Sequence, residues 1–309
     1  MGETPLIGEP VCIAPIADRC GEGAVWHPTE KALFWVDINR FLIHSWHAET
    51  HAITTWSFEE PVTALNLTTD DSLLIVCFAS RITLWDWTTG MVVEDAASFA
   101  GYALPGAPRV RCNDARVDAA GRLWVATMQN NLGPDGEPLD VTEKLGELFS
   151  LDATGHVVSH RRKLGIGNTV AWSPNARFLY TADTLADAIS TFEMNRDGTL
   201  DEERLWFQGG SEVKFGLPDG SAMDAEGFLW NCRHGGGCVL RISPEGVIDH
   251  LVTMPVKNPT TCVFGGVEGM TLFVTSAAIG DEENPLAGGL FAMETKTHGL
   301  PGNRFRLLR

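Results

Sequence analysis

Short apolar clusters alternate with polar, glycine-bearing turns along this chain, and one cluster recurs six times. It reads Ala32-Leu33-Phe34-Trp35-Val36, then Ser72-Leu73-Leu74-Ile75-Val76, Arg122-Leu123-Trp124-Val125-Ala126, Phe178-Leu179-Tyr180-Thr181-Ala182, Phe228-Leu229-Trp230 and Thr271-Leu272-Phe273-Val274. The shared leucines, at positions 33, 73, 123, 179, 229 and 272, are spaced 40 to 56 residues apart. Each cluster is entered through a turn, such as Pro28 to Lys31 or Asp118 to Arg122. Each turn is preceded by another apolar stretch, such as Ala24 to His27 or Val170 to Trp172. Apolar runs of strand length joined by tight turns predict β-hairpins. A second hairpin follows the first, around Thr89-Gly90, Thr154-Gly155 and Glu245-Gly246. Six units of four strands at this period predict an all-β chain folded as a six-bladed β-propeller with four-stranded blades. A (β/α)₈ barrel would require eight long amphipathic helices, and the sequence has no helical pattern of that kind.

The two ends of the chain fit that reading. The sixth unit runs out after Gly289 to Met293 with about three strands, while Pro10 to Ala17 has no place in the first unit. The N-terminal stretch is therefore expected to supply the outer strand of the last blade, closing the ring and removing an open sheet edge. Dividing 309 residues by six leaves about 51 per blade, within the range of known blades, so residues 1–309 are expected to form one propeller domain.

Composition narrows the function. Hydrophobic residues make up 44% and charged residues 20%, which excludes disordered, collagen-like and coiled-coil chains. Lys and Arg number 23 against 40 Asp and Glu, a formal net charge of -17. Such a surface repels phosphate backbones and anionic lipid, so neither nucleic acid nor membrane is an expected partner, whereas a cation is compatible. No apolar run reaches the length of a membrane span, and the N-terminus has no signal-peptide pattern, so a cytoplasmic protein is expected. The seven cysteines form no C-x-x-C pair and read as reduced thiols, not as a zinc cage or a disulfide framework. A small molecule is the expected partner, bound by a monomer or a weak homo-oligomer.

In a propeller the innermost strands begin near one end of a central channel, so equivalent positions of different blades converge there. Counting back ten to twelve residues from the shared leucines reaches Glu22, Val62 or Thr63, Asn113, Asn168, Asp219, and Thr260 or Thr261. Asn and Asp are also ordinary turn residues, but a Glu between two glycines, as in Gly21-Glu22-Gly23, is a less ordinary turn. Glu22, Asn168 and Asp219 offer two carboxylates and one amide oxygen, a hard donor set suited to Ca²⁺, Mg²⁺ or Mn²⁺, with Zn²⁺ or Fe²⁺ left open. Three protein ligands leave positions for water and substrate, the arrangement of a catalytic metal site. Arg111 stands two residues before Asn113, and strand alternation puts both on one face, where they would grip a hydroxylated, carbonyl-bearing ligand. For Arg111 an ion pair between blades is the alternative. His44, His47 and His51 fall in the outer hairpin of the first blade and read as solvent-exposed. No G-x-S-x-G elbow or glycine-rich phosphate loop is present. The stretch from Gln129 to Gly146, rich in Gly, Pro and Asp, is expected to overhang the channel as a specificity loop.

Four motifs in order along the chain carry a family resemblance. They are Gly21-Glu22-Gly23 with Trp26 and Leu33 to Asp37; Arg111-Cys112-Asn113-Asp114 with Val117-Asp118 and Gly121 to Trp124; Gly167-Asn168 with Ala171 to Pro174 and Tyr180 to Thr184; and Pro218-Asp219-Gly220 with Asp224 to Gly227. Together they resemble the SMP-30/gluconolactonase/regucalcin family over nearly the whole chain. The resemblance implies a six-bladed propeller that hydrolyses sugar lactones with one divalent cation. It implies Glu22, Asn168 and Asp219 as metal ligands and Arg111 and Asn113 as substrate contacts. Asp219, beside the cation, is then the expected general base. The chain departs from the pattern after Thr127-Met128: Gln129, Asn130 and Asn131 stand where animal regucalcins carry an acidic pair, so the sugar-contacting acid does not carry over and the preferred lactone stays open. Two other readings of the same residues remain: a non-catalytic Ca²⁺-binding regulatory protein, and a propeller scaffold for protein contacts.

Overall fold

A computed structural model describes residues 7–94, 96–209 and 215–308. The first strand, β1 (Val11–Ala14), is set aside by its neighbours in sequence and pairs antiparallel with the last, β25 (Leu290–Glu294). Between them the chain lays down six antiparallel sheets in succession. Blade I is β2 (Gly21–His27), β3 (Ala32–Asp37), β4 (Leu42–His47) and β5 (Ile53–Ser57). Blade II is β6 (Val62–Leu67), β7 (Leu73–Phe78) and β8 (Arg81–Asp86), edged by β9 (Met91–Val93) and β10 (Tyr102–Ala103). Blade III is β11 (Val110–Val117), β12 (Leu123–Gln129), β13 (Gly146–Leu151) and β14 (Val157–Leu164). Blade IV is β15 (Gly167–Trp172), β16 (Phe178–Asp183), β17 (Ala188–Glu193) and β18 (Arg204–Gln208). Blade V is β19 (Leu217–Met223), β20 (Leu229–His234), β21 (Cys238–Ile242) and β22 (Ile248–Thr253). Blade VI is β23 (Pro259–Gly265), β24 (Thr271–Ser276), β25 and β1. Each inner strand touches the inner strands of the blades before and after it, and β23 returns to β2, so the ring is closed. The fold is the six-bladed propeller expected, and the N-terminal strand completes the last blade.

The recurring apolar cluster is the second strand of every blade. Its residues are buried almost without alternation, as in β3, because each blade is covered on both faces by its neighbours. The buried hydrophobic side chains fall into six clusters, one between each pair of adjacent blades. Four indoles, Trp35, Trp85, Trp124 and Trp230, are fully buried in them, each such ring removing well over 100 Å² from water. The Asp-x-x-Gly turns explain part of the repeat. Asp118 accepts the N–H groups of Ala120 and Arg122 and the indole N–H of Trp124 at 2.8 Å. Asp224 does the same for Glu226, Phe228 and Trp230. One carboxylate thus closes the hairpin and pins the tryptophan that fills the next interface.

Three expectations change. Blade II fills its fourth position with two short pieces, β9 and β10, which share the edge of β8. His44 is buried, not exposed: its ring lies tilted against Trp35 with centroids 5.1 Å apart, its Nε2 lies 3.1 Å from Asp18 Oδ1, and its Nδ1 meets Thr55 Oγ1. Simple alternation also fails in the inner strands. All six carry a register shift at the same level, between Glu22 and Val25, Val62 and Ala64, Cys112 and Asp114, Asn168 and Val170, Pro218 and Ser221, and Pro259 and Cys262. The C-terminal segment leaves blade VI and crosses the far end of the channel, pairing with Met223, Val117, Thr68 and Gly121. Among the described residues the one helical element is a 3-10 turn at Thr184–Ala186, and no helix is long and apolar enough to cross a membrane.

Candidate active site

The six register shifts decide which side chains enter the channel. A β-bulge re-aims the residue it adds, and here Asn113 and Asp219 lie within bulges while Glu22 and Asn168 immediately precede them. The flanking glycines of Glu22 have a steric cause. A Cβ on Gly21 would sit 2.8 Å from Ser276 O of blade VI, and one on Gly23, whose φ is +58°, would sit 2.8 Å from Ala64 Cα of blade II. Blade I can bring Glu22 to the axis only with glycine on both sides. Thr169, in the bulge of blade IV, holds a left-handed φ of +48°, uncommon for a β-branched residue. It is kept there by its Oγ1, which donates to Asp219 O at 2.5 Å and meets Ser221 Oγ at 2.9 Å.

Two further aspartates steady the segments that lead into the site. Asp37, at the end of β3, accepts the backbone N–H groups of Arg19 and Cys20. Asp183, at the end of β16, accepts those of Gly165 and Ile166. Each fixes the two or three residues before an inner strand, and so the height of Glu22 and Asn168 in the channel.

The expected residues are brought together. Asn168 Nδ2 donates to Asp219 Oδ1 at 2.6 Å and to Thr184 Oγ1 at 3.2 Å. Asp219 and Glu22 lie within hydrogen-bond reach of each other. Gly23 N–H donates to Glu22 Oε2. Arg111 and Asn113 are held not by alternation but by a direct bond, Arg111 Nη1 to Asn113 Oδ1 at 2.7 Å, while Asn113 Nδ2 donates to Gly167 O. The overhanging loop reaches them: Asn131 Oδ1 accepts Arg111 Nε at 2.9 Å, and Gly136 O accepts Asn39 Nδ2 from blade I. The ion-pair alternative for Arg111 has no support, because its partners are all neutral and both Nη2 N–H groups lack a partner among the described residues.

Three groups escape the position count. Asp114 is buried beside Glu22 and Asp219, and its Oδ2 has no hydrogen-bond partner among the described residues. Arg116 reaches Asp114 Oδ1 at 3.4 Å and Thr261 Oγ1 at 3.3 Å. Cys20 lies within electrostatic range of Glu22, Asp219 and Arg111. The carboxylates answer to this crowding. Burial, followed by repulsion from Asp219 and Asp114, holds Glu22 well above the usual carboxylate range. Asp219 is pushed up to about 7 chiefly by burial, against the bond from Asn168. Burial lowers Arg111 to about 10.

This donor set fits a divalent cation. Two buried carboxylates, Glu22 disfavoured as an anion by Asp219 and Asp114 and Asp219 by Asp114, a carboxylate oxygen of Asp114 without a partner among the described residues, and an adjacent amide are what a hard cation would satisfy. Asn168 turns its nitrogen to Asp219 here, and a half-turn of the amide presents oxygen instead. Among the described residues no three His, Cys, Asp or Glu side chains are gathered for a metal ion, so a cation here would draw on the Asn168 amide as well as on the two carboxylates.

Residues 20–278 match the protein family described as SMP-30/Gluconolactonase/LRE-like region. The regucalcin of Gallus gallus is 30% identical over 91% of this chain and 92% of its own. The pentonolactonase of Haloferax volcanii is 30% identical over 92% of this chain and 93% of its own. Among solved structures, a calcium-binding protein, regucalcin, from Agrobacterium tumefaciens superimposes with a TM-score of 0.86 at 24% identity, covering 97% of this chain and 98% of that one.

Proposed function

Because the chain belongs to the SMP-30/gluconolactonase/LRE-like family, we propose that it hydrolyses a sugar lactone to the aldonic acid with the aid of one divalent cation. The observation that carries this reading is the convergence of Glu22, Asn168 and Asp219 at the channel mouth beside the Arg111–Asn113 pair. The likeness to a pentonolactonase over nearly the full length of both chains supports the same chemistry. Glu22, Asn168 and Asp219 would hold the cation, which supplies Lewis-acid polarisation of the lactone carbonyl. Asp219, beside the cation, accepts the proton of the attacking water as general base. Arg111, with two unpartnered N–H groups, and Asn113 orient the hydroxyls and carbonyl of the substrate. Asn131, a neutral residue, holds the Arg111 guanidinium in place without cancelling its charge.

A second reading, a calcium-binding protein without turnover, uses the same three ligands and rests on the likeness to regucalcin. Following acid release from a panel of C5 and C6 aldonolactones, after EDTA treatment and with Ca²⁺, Mg²⁺, Mn²⁺ or Zn²⁺ added back, separates the two. Cation-dependent acceleration is expected for the lactonase. Rates equal to spontaneous hydrolysis with every cation, while a cation still binds, would favour the binder.

A further inference from the structure

The far end of the channel holds a cavity of about 290 Å³, roofed by the inner strands and floored by the C-terminal segment. The candidate active site sits where the inner strands begin; this cavity sits where they end, at the turns after β11, β15 and β19. Its walls are largely apolar: Val25, Val170, Trp172, Met223, Phe264 and Leu300. It opens between exposed residues of two turns, Ala119 and Pro174, and the exposed strap residues Pro301 and Gly302. One charged side chain lines it, Arg116.

Arg116 is half-buried, with 17% of its side chain exposed, and is paired less closely than Arg233 and Arg241. Arg241 is held by Asp224, Glu226 and Asp249 at 2.6–2.9 Å, and Arg233 by Asp187 at 2.7 Å. Arg116 has a single carboxylate neighbour, Asp114, at 3.4 Å. Its Nη1 also donates to Ala115 O and its Nη2 to Thr261 Oγ1, so Nε–H and one Nη2 N–H have no partner among the described residues. A partly unsatisfied guanidinium against apolar walls offers one anionic group charge-assisted bonds, gained against the general repulsion of a molecule of net charge -17. Of the uncharged polar side chains in the lining, Asn66, Ser221 and Asn303 already bond within the protein, to Ala115 O, Thr169 Oγ1 and Val117 O, so an apolar body suits the anion's remaining surface.

We propose that this cavity is a second ligand site, taking a small carboxylate with an apolar body seated on Arg116. Arg116 also faces Asp114, beside Glu22 and Asp219, so the two sites share one side chain. A carboxylate docked on it cancels part of its charge, which leaves the upper carboxylates more negative and a cation there more tightly held. By linkage the cation strengthens the lower ligand equally.

The test is calorimetric titration of the full chain with benzoate and octanoate, with benzamide as the uncharged control. Saturable benzoate binding is expected, with benzamide weaker by about tenfold or more. Ala222→Phe, which fills the cavity from β19, and Gly302→Val, where an added Cβ meets only Leu67 Cδ1 at 3.9 Å, are each expected to remove it. Either variant suffices, provided its thermal unfolding matches that of the unaltered chain. Free Mn²⁺, read by electron paramagnetic resonance, is expected to show about fivefold tighter binding when benzoate is present. No saturable binding, equal binding of benzamide, benzoate affinity unchanged in a folded cavity variant, or Mn²⁺ affinity indifferent to benzoate would each overturn the proposal.

Discussion

Asp219 is gripped from two blades: Asn168 and Thr169 of blade IV bond its side chain and its carbonyl, and Asn231 of its own blade bonds that carbonyl again at 3.0 Å. Asp219→Ala is expected to lower lactone hydrolysis by about 10²–10⁴-fold and to weaken Mn²⁺ binding, measured by acid release and by titration. The raised proton affinity of the pair has a sign that can be checked. Asp219 titrates near 7 in the fold and near 4 in the unfolded chain, at about the model-peptide value. Between those values the native state binds more protons than the unfolded one, so the cation-free protein loses stability as pH rises and the loss is complete above about pH 7. Thermal midpoints from pH 5 to 8, with and without Mn²⁺, are expected to diverge as pH increases; parallel curves would contradict this. Glu22, Asn168 and Asp219 were legible because the repeat aligns them. Asp114 and Thr169 were not, because a bulge changes which neighbours face the axis and no residue pattern marks where the extra residue falls.

At the scale of elements, the second strands were the most legible feature, since burial on both faces leaves an apolar run in the sequence. The outer strands were less so: they are short and half exposed, which is why β10 at the edge of blade II carries no mark in the pattern and His44 read as solvated. The turns carry energy that can be tested. Removing Asp224 leaves Arg241 and the Trp230 indole N–H short of a buried partner, so Asp224→Ala is expected to cost about 3–5 kcal/mol in chemical denaturation. Gly23→Ala places a Cβ 2.8 Å from Ala64 Cα at a φ of +58°, with an expected cost of about 1–3 kcal/mol. It should also reduce Mn²⁺ affinity, because Glu22 moves with the strand. A variant with unaltered stability would show that the blades do not press together there.

At the scale of the whole molecule, the ring is fastened twice: by β1 in blade VI and by the C-terminal strap across the channel floor. Phe305 of the strap is fully buried against Phe99 between blades II and III, and Phe305→Ala is expected to cost about 3–5 kcal/mol by denaturant unfolding. The strap has no counterpart in the repeat, and its role was not legible from residues that form almost no strand. Ring closure is what lets side chains from blades I, III, IV and V meet at one point, and on that meeting the functional reading depends. The most direct test is a crystal structure of the Mn²⁺-loaded protein with an aldonate, using anomalous scattering to locate the ion. The account predicts one peak between Glu22, Asn168 and Asp219 with the aldonate on Arg111 and Asn113; a peak elsewhere, or an aldonate bound away from the channel mouth, would contradict it.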